Sequence, residues 1–201
     1  MDPATRAAPT PERPWRPTRE QVAAAAGASV PDVAAAGLVV LFCGINPGLY
    51  SGAVGHHFAR PGNRFWRALH AAGFTARVHS PFEERDLLPL GLGITNLVDR
   101  ATATAGGLRS GELREGRSDL EPKLRRLRPA FLAMLGITAY RTAFDRPAAT
   151  MGPQPDHRVG RTRVWVLPNP SGLNAHYRPA DLAETFRALR EAAGLPDRAS
   201  A

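Results

Sequence analysis

The apolar positions of the chain fall into short runs separated by amphipathic stretches. Leu38-Val39-Val40-Leu41-Phe42 is continuous and bounded by Gly37 and Gly44, which predicts a strand buried on both faces of a parallel sheet. Ile94–Val98, Ala130–Leu135 and Val164–Leu167 are read as the other strands. Between them the period lengthens to that of a helix. Thr18-Arg19-Glu20-Gln21 opens an alanine-rich stretch ending near Gly27, and a threonine three residues before a glutamine is the pattern of a capped helix start. Phe65, Trp66, Leu69 and Ala72 recur at helical spacing behind Asn63, a candidate cap, and stop at Gly73. Pro81–Leu88 reads as a short helix, Leu113–Leu127 as a longer one interrupted by Gly116 and Pro122, and Thr138–Phe144 as another. The last helix starts at Pro179 and runs through Leu182, Phe186 and Leu189 to Gly194. Arg146–Arg163 is a proline- and glycine-punctuated connection. Four strands alternating with helices give an α/β fold, a three-layer α/β/α sandwich around a central, mainly parallel four-stranded sheet.

At 201 residues the chain is long enough for one packed core and short for two. Residues 1–17 hold five prolines and almost no apolar periodicity, so they are expected as a disordered tail. The domain is expected over 18–195, with 196–201 as a C-terminal tail. No apolar run approaches the roughly 20 residues a membrane-spanning helix needs, and the first residues lack an apolar core of signal-peptide length. A cytoplasmic location is therefore expected, nucleoid-associated in a cell without a nucleus. The single cysteine, Cys43, excludes an internal disulfide and any all-cysteine cluster, and no Cys/His spacing suggests zinc. No metal or cofactor is expected. The formal charge of +8 and the pI near 11.0 rest on arginine, whose planar fork suits phosphate, and favour a polyanionic partner.

In an open parallel sheet, ligands bind beyond the carboxyl ends of the strands. The first strand empties into Gly44-Ile45-Asn46-Pro47-Gly48, a tight turn that places Asn46 at the mouth of the sheet. It lacks the glycine spacing of a dinucleotide or nucleotide loop, and Pro47 removes an amide that a phosphate cradle would use. Taken alone, it reads first as a plain turn whose asparagine bonds its own backbone. The last strand empties into Leu167-Pro168-Asn169-Pro170-Ser171-Gly172-Leu173-Asn174-Ala175-His176, a second loop at the same edge. Leu173 stands there among small and polar residues, either tucked back into the domain or free to act as a wedge between base steps.

Together these two segments resemble the active-site motifs of the mismatch-specific (G·U/G·T) uracil-DNA glycosylase family, which includes thymine-DNA glycosylases, within the uracil-DNA glycosylase superfamily. The pair at this spacing is far more specific than either motif alone. Between them, Phe58-Ala59-Arg60-Pro61-Gly62-Asn63-Arg64-Phe65-Trp66 and Thr95-Asn96-Leu97-Val98-Asp99-Arg100 are similar to two further family segments. The resemblance implies that Asn46 is the catalytic asparagine that orients the attacking water and that Phe58 stacks on the flipped base. It implies that Ile45 faces the base edge with its backbone and that Ser51 governs room for a thymine methyl. Gly48 and Asn169, one in each motif, join the substrate-binding set. Gly172 and Leu173, with Ser171 beside them, are expected to enter the DNA and replace the extruded nucleotide. Asn96 stands where a relative has lysine, and its amide is expected to reach the pocket. Tyr50 replaces a smaller residue, and Ala175 stands where some relatives carry an arginine. His56 and His57 read first as an exposed loop pair and second as pocket lining or phosphate contacts, His70 and His79 as surface residues, and His176 as a phosphate contact.

The implied activity is excision of uracil and related deaminated or damaged bases from double-stranded DNA, especially at G·U mismatches, by a monofunctional, monomeric N-glycosylase that initiates base excision repair. Taking a base out of the stack costs a few kcal/mol, least at a mismatch, and a leucine wedge, a stacking phenylalanine and a basic surface offset it. A carboxylate near C1′ would stabilise the developing sugar cation by on the order of 4 kcal/mol at about 4 Å and an effective dielectric of roughly 20. Asn46 is neutral; it can hold a water but cannot deprotonate it, so the reaction depends on a good leaving group. Two readings from other classes compete: a catalytically weak mismatch-binding protein, and a nucleotide-binding α/β enzyme, which the missing phosphate loop disfavours.

Overall fold

A computed structural model of the protein describes residues 16–172, 174 and 177–200. In chain order the elements are α1 (Arg19–Ala24), β1 (Val40–Gly44), α2 (Leu49–Val54), α3 (Phe65–Ala71), a 3₁₀ helix (Pro81–Leu90), β2 (Leu92–Asn96), α4 (Ser110–Leu127), β3 (Phe131–Leu135), α5 (Ile137–Ala143), β4 (Gly152–Val159), β5 (Thr162–Leu167) and α6 (Pro179–Ala192). Thr18 caps α1 through the reciprocal pair with Gln21 that its sequence predicts. Asn63 holds the start of α3 by accepting from the Phe65 amide at 2.9 Å. Helix α4 runs unbroken through Gly116 and Pro122. Gly116 is there for close approach: a Cβ would lie 2.1 Å from the Leu97 carbonyl oxygen.

The sheet has five strands, not the four expected, in the order β2-β1-β3-β5-β4. The four expected strands are mutually parallel, and β4 pairs antiparallel with β5 at the edge, with a register shift between Gln154 and Arg158. The added strand lies inside the segment read as a connection, because Pro153 and Pro155 interrupt any strand pattern there. An edge strand tolerates proline, since only one of its sides has a ladder to satisfy. Helix α2, just after the Asn46 turn, is a second addition; with only Gly48 at its start and no side-chain cap, it has no sequence signal.

Alternation along the strands builds two cores. Val40 and Phe42 of β1, Phe131 and Ala133 of β3 and Leu167 of β5 face α3, α6 and the 3₁₀ helix. Leu41 and Cys43, Leu132 and Met134, and Val164 and Val166 face α4 and α5. Both faces are buried, which is why the strands read as continuous apolar runs. In the first core Phe42 stacks on Phe186 and meets Phe65 edge-on at a centroid distance of 5.4 Å. Phe65 in turn stacks on Phe58 at 4.1 Å, so an aromatic column leads from the core to the carboxyl edge of the sheet. At that edge β1 has β2 on one side and β3 on the other, the switch point at which α/β sheets open a crevice.

Candidate active site

The crevice is a cavity of about 360 Å³ beyond β1, β2, β3 and β5. Asn46, Ile45, Gly48, Ser51, Phe58, Asn96, Asn169 and Ser171, which lie up to 126 residues apart in sequence, all line it. Gly172 lies outside that lining, and Leu173 and His176 lie outside the described residues. Among the described residues, no carboxylate lines it.

The Asn46 side chain is oriented by chemistry rather than by packing. Its Nδ2 donates to the carbonyl oxygens of Arg100 at 2.9 Å and Pro47 at 3.1 Å, and to Thr102 Oγ1 at 2.7 Å. Carbonyl oxygens only accept, so nitrogen must face them, and Thr102 Oγ1 is held as an acceptor because its own proton goes to the Thr104 carbonyl at 2.8 Å. The amide is therefore fixed in one sense. Its Oδ1 accepts from none of the described residues and is the polar atom left for a ligand in the cavity. Thr102, which no sequence motif singled out, is thus part of the site. The backbone around it is stitched to the turn, since Leu49 N donates to Thr102 O and Thr102 N to Pro47 O, both at 3.1 Å.

Asn96, at the end of β2, is oriented by His57. Here the expectation of an exposed histidine pair is corrected: His57 is 2% exposed, and only its neighbour His56 is partly open. His57 Nε2 lies 3.0 Å from the Pro31 carbonyl, which requires a proton on Nε2 and leaves Nδ1 an acceptor in the neutral ring. Burial pushes the His57 imidazole below its ordinary range and so keeps it neutral, against a smaller opposing pull from Glu84. Asn96 Nδ2, 3.4 Å from Nδ1, therefore donates, and Asn96 Oδ1 turns towards Gly44. A Cβ at Gly44 would meet that oxygen at 2.6 Å and the Phe58 ring at 3.3 Å, so only glycine fits beneath them.

Phe58 sits half-buried with φ of 53°, the left-handed region that a phenylalanine occupies at a cost of order 1–3 kcal/mol. Its neighbours hold it there. The buried Glu84 accepts from the His57 amide at 2.8 Å and pairs with the His56 ring at 2.8 Å, and Ser51 Oγ accepts from the Ala59 amide at 3.0 Å. Ser51 is thus a brace for the Phe58 segment as well as a wall residue. Ile45 packs its side chain against Gly136, and its carbonyl accepts from the Val98 amide at 2.9 Å. Asn169 Oδ1 closes its own turn by accepting from Ser171 N at 2.9 Å.

The profile of the uracil DNA glycosylase superfamily matches residues 31–190. The chain belongs to that superfamily. Its members are DNA glycosylases, hydrolases of the N-glycosidic bond, and the matched span contains every lining residue of the cavity and both edge loops. The five-stranded, mostly parallel sheet flanked by helices is consistent with the superfamily fold. Among the described residues no helix is long and apolar enough to cross a membrane, and no group of three or more His, Cys, Asp or Glu side chains is placed to hold a metal.

Proposed function

We propose that the protein is a monofunctional glycosylase of the mismatch-directed kind, which removes uracil and related deaminated bases from DNA, with G·U pairs preferred. The observation that carries the reading is the single orientation of the Asn46 amide, with Oδ1 left to accept a hydrogen from water. A water held by that oxygen has a lone pair free to add to C1′ as the C1′–N1 bond breaks. The base leaves as an anion; the water, once bonded to C1′, releases a proton to solvent to become the sugar hydroxyl, and the base takes one up from solvent to become neutral.

Among the described residues, no carboxylate lines the cavity to stabilise a sugar cation or to take the water's proton early. Selectivity then falls on the leaving group and on the reading of its edge. Asn96, with its orientation fixed through His57, offers one acceptor and one remaining donor. These complement the N3–H and a carbonyl of uracil and oppose the N3 and amino group of cytosine. Phe58, braced in an unfavourable backbone conformation, supplies the stacking face.

The monofunctional assignment draws on amine chemistry. A lyase step needs an amine to attack C1′ and form a Schiff base. The sequence has one lysine, and Lys123 lies outside the cavity, paired with Asp32 at 2.6 Å and donating to Thr95 Oγ1 at 3.0 Å. A labelled duplex with a single G·U pair tests the reading. Strand cleavage is expected only after hot alkali, with no covalent adduct trapped by borohydride; an intact strand after alkali would leave a binding protein, and a trapped adduct would make the enzyme bifunctional.

A further inference from the structure

Arg64 lies in a basic chain, beside a loop expected to meet DNA, the setting of a phosphate contact. Its guanidinium is otherwise engaged. Nη1 donates to the Tyr177 carbonyl, and Nη2 donates to the carbonyls of Ser171 and Asn174, both at 2.8 Å. The Arg64 amide also donates to the Pro170 carbonyl at 3.0 Å. One residue at the start of α3 thus holds four carbonyls of the loop after β5, on both sides of position 173. The loop is pressed close at the same place, since a Cβ at Gly172 would lie 2.6 Å from the Gly62 carbonyl oxygen.

Another arginine that brackets carbonyls is Arg190, which donates to Ala72 O at 2.7 Å and Leu195 O at 2.9 Å. Asp197 and Glu191 lie 3.5 and 3.6 Å from its Nη2. Arg64 has no carboxylate within ion-pair distance among the described residues, and its buried Nε has no hydrogen-bond partner there. A half-buried cation without a counter-ion is costly unless its donors are well used, and here they are used on the loop's main chain.

We infer that Arg64 is the positioning residue that sets the backbone of the loop after β5 in the shape needed to engage a duplex, while taking no part in bond cleavage. The assignment rests on the glycosylase reading for its functional half; the bracing of the loop stands on geometry alone. A planar fork is required, because a lysine ammonium has no rigid pair of nitrogens with which to span carbonyls lying in different directions.

The test compares Arg64→Gln and Arg64→Lys with the unaltered protein in two measurements. In single-turnover uracil release, both variants should lose about tenfold or more on a G·U duplex and stay within about twofold on a single strand of the same sequence, where nothing has to be extruded. In amide hydrogen exchange without DNA, the peptide spanning 170–178 should exchange faster in both variants, with the β1 and β2 peptides unchanged. Equal losses on duplex and single strand would overturn the positioning role and move Arg64 into the fold or the pocket. Unchanged exchange at 170–178 would overturn the bracing itself. If the unaltered protein released no uracil from either substrate, the glycosylase reading would fall, and the exchange comparison would still decide whether Arg64 holds the loop.

Discussion

The loops after β1 and after β5 meet at one cavity, yet they are held in opposite ways. In the first, a side chain of the loop reaches out to fixed acceptors, the carbonyls of Pro47 and Arg100 and the hydroxyl of Thr102, and one atom, Asn46 Oδ1, is left over. In the second, the loop contributes main-chain carbonyls and the organising side chain, Arg64, comes from outside. The first arrangement fixes a single polar atom, which is what a reacting water needs. The second fixes a stretch of main chain, through carbonyls on both sides of position 173. Damage to the first loop should therefore slow bond cleavage on any substrate, and damage to the second should matter only when a base must leave a duplex.

The sharpest separation is expected from Asn46→Ala. Uracil release should fall by at least about a hundredfold on single strands and duplexes alike, with mismatch affinity changed no more than a few-fold, because water positioning is lost and binding is not. Near-normal release by this variant would move the catalytic role to Asn96. Gly44→Ala should follow the same substrate pattern with a smaller loss, about tenfold, since the methyl displaces the Asn96 oxygen and the Phe58 ring rather than removing a group.

Leu173→Ala probes the other loop. If Leu173 is a wedge, excision from a well-paired site should slow by about tenfold, from a mismatch by about threefold, and from a single strand hardly at all, because a mismatch starts with less stacking to break. Equal losses on paired and mismatched duplexes would return Leu173 to the core.

The parts of this design differ in how far they could be read from sequence. Strands buried on both faces announce themselves as apolar runs, and the capping pair at Thr18 and Gln21 is local, so both were legible. β4 was not, because its prolines are tolerated only by the accident of its edge position, which is a tertiary fact. The motif residues of the cavity were legible as a set. The braces behind them were not: Thr102, Glu84 and Pro31 act through hydrogen bonds to residues up to 56 positions away, and such bonds leave no period in the sequence. His57 looked like half of an exposed pair because local polarity says nothing of a buried carboxylate waiting in the 3₁₀ helix.

Acid should expose that hidden layer. The folded His57 value lies below the ordinary 6.5, so the unfolded chain takes up its proton first. The stability associated with neutral His57 is complete above about pH 6.5 and declines as pH falls through that value towards the folded one. Glu84, Asp32 and His56 are the charged and titratable groups that face the ring. The same sign holds for His157 on β4, which burial lowers to about 4 and whose Nδ1 is hydrogen-bonded to the Tyr140 hydroxyl at 2.6 Å. Thermal unfolding midpoints of His57→Gln and His157→Gln should both fall less than those of the unaltered protein on acidification. Only His57→Gln should also weaken uracil-over-cytosine discrimination, since His157 lies outside the cavity. A discrimination loss in His157→Gln, or none in His57→Gln, would sever the link between the His57 ring and the Asn96 amide.

The smallest effect concerns salt. Affinity for DNA should fall with a log-log slope of about −0.9 for each phosphate neutralised. Four arginines sit near the two loops, and their engagements are unequal. Arg64 is taken up by carbonyls, Arg100 lies 2.6 Å from Glu112, and Arg178 lies 3.1 Å from Asp181. Arg60 lines the cavity, is exposed, and has no ion-pair partner among the described residues. Arg60→Ala should therefore flatten the slope by about 0.9, one full contact, and Arg100→Ala and Arg178→Ala by less, because each leaves behind a carboxylate it had already neutralised. Removing residues 1–17 should flatten it only slightly, as Arg6, Arg13 and Arg16 can reach few phosphates at a time. If the truncation abolished the salt dependence while Arg60→Ala left it intact, the electrostatic anchor would be the tail, and the rim shared by the two loops would contribute shape without charge.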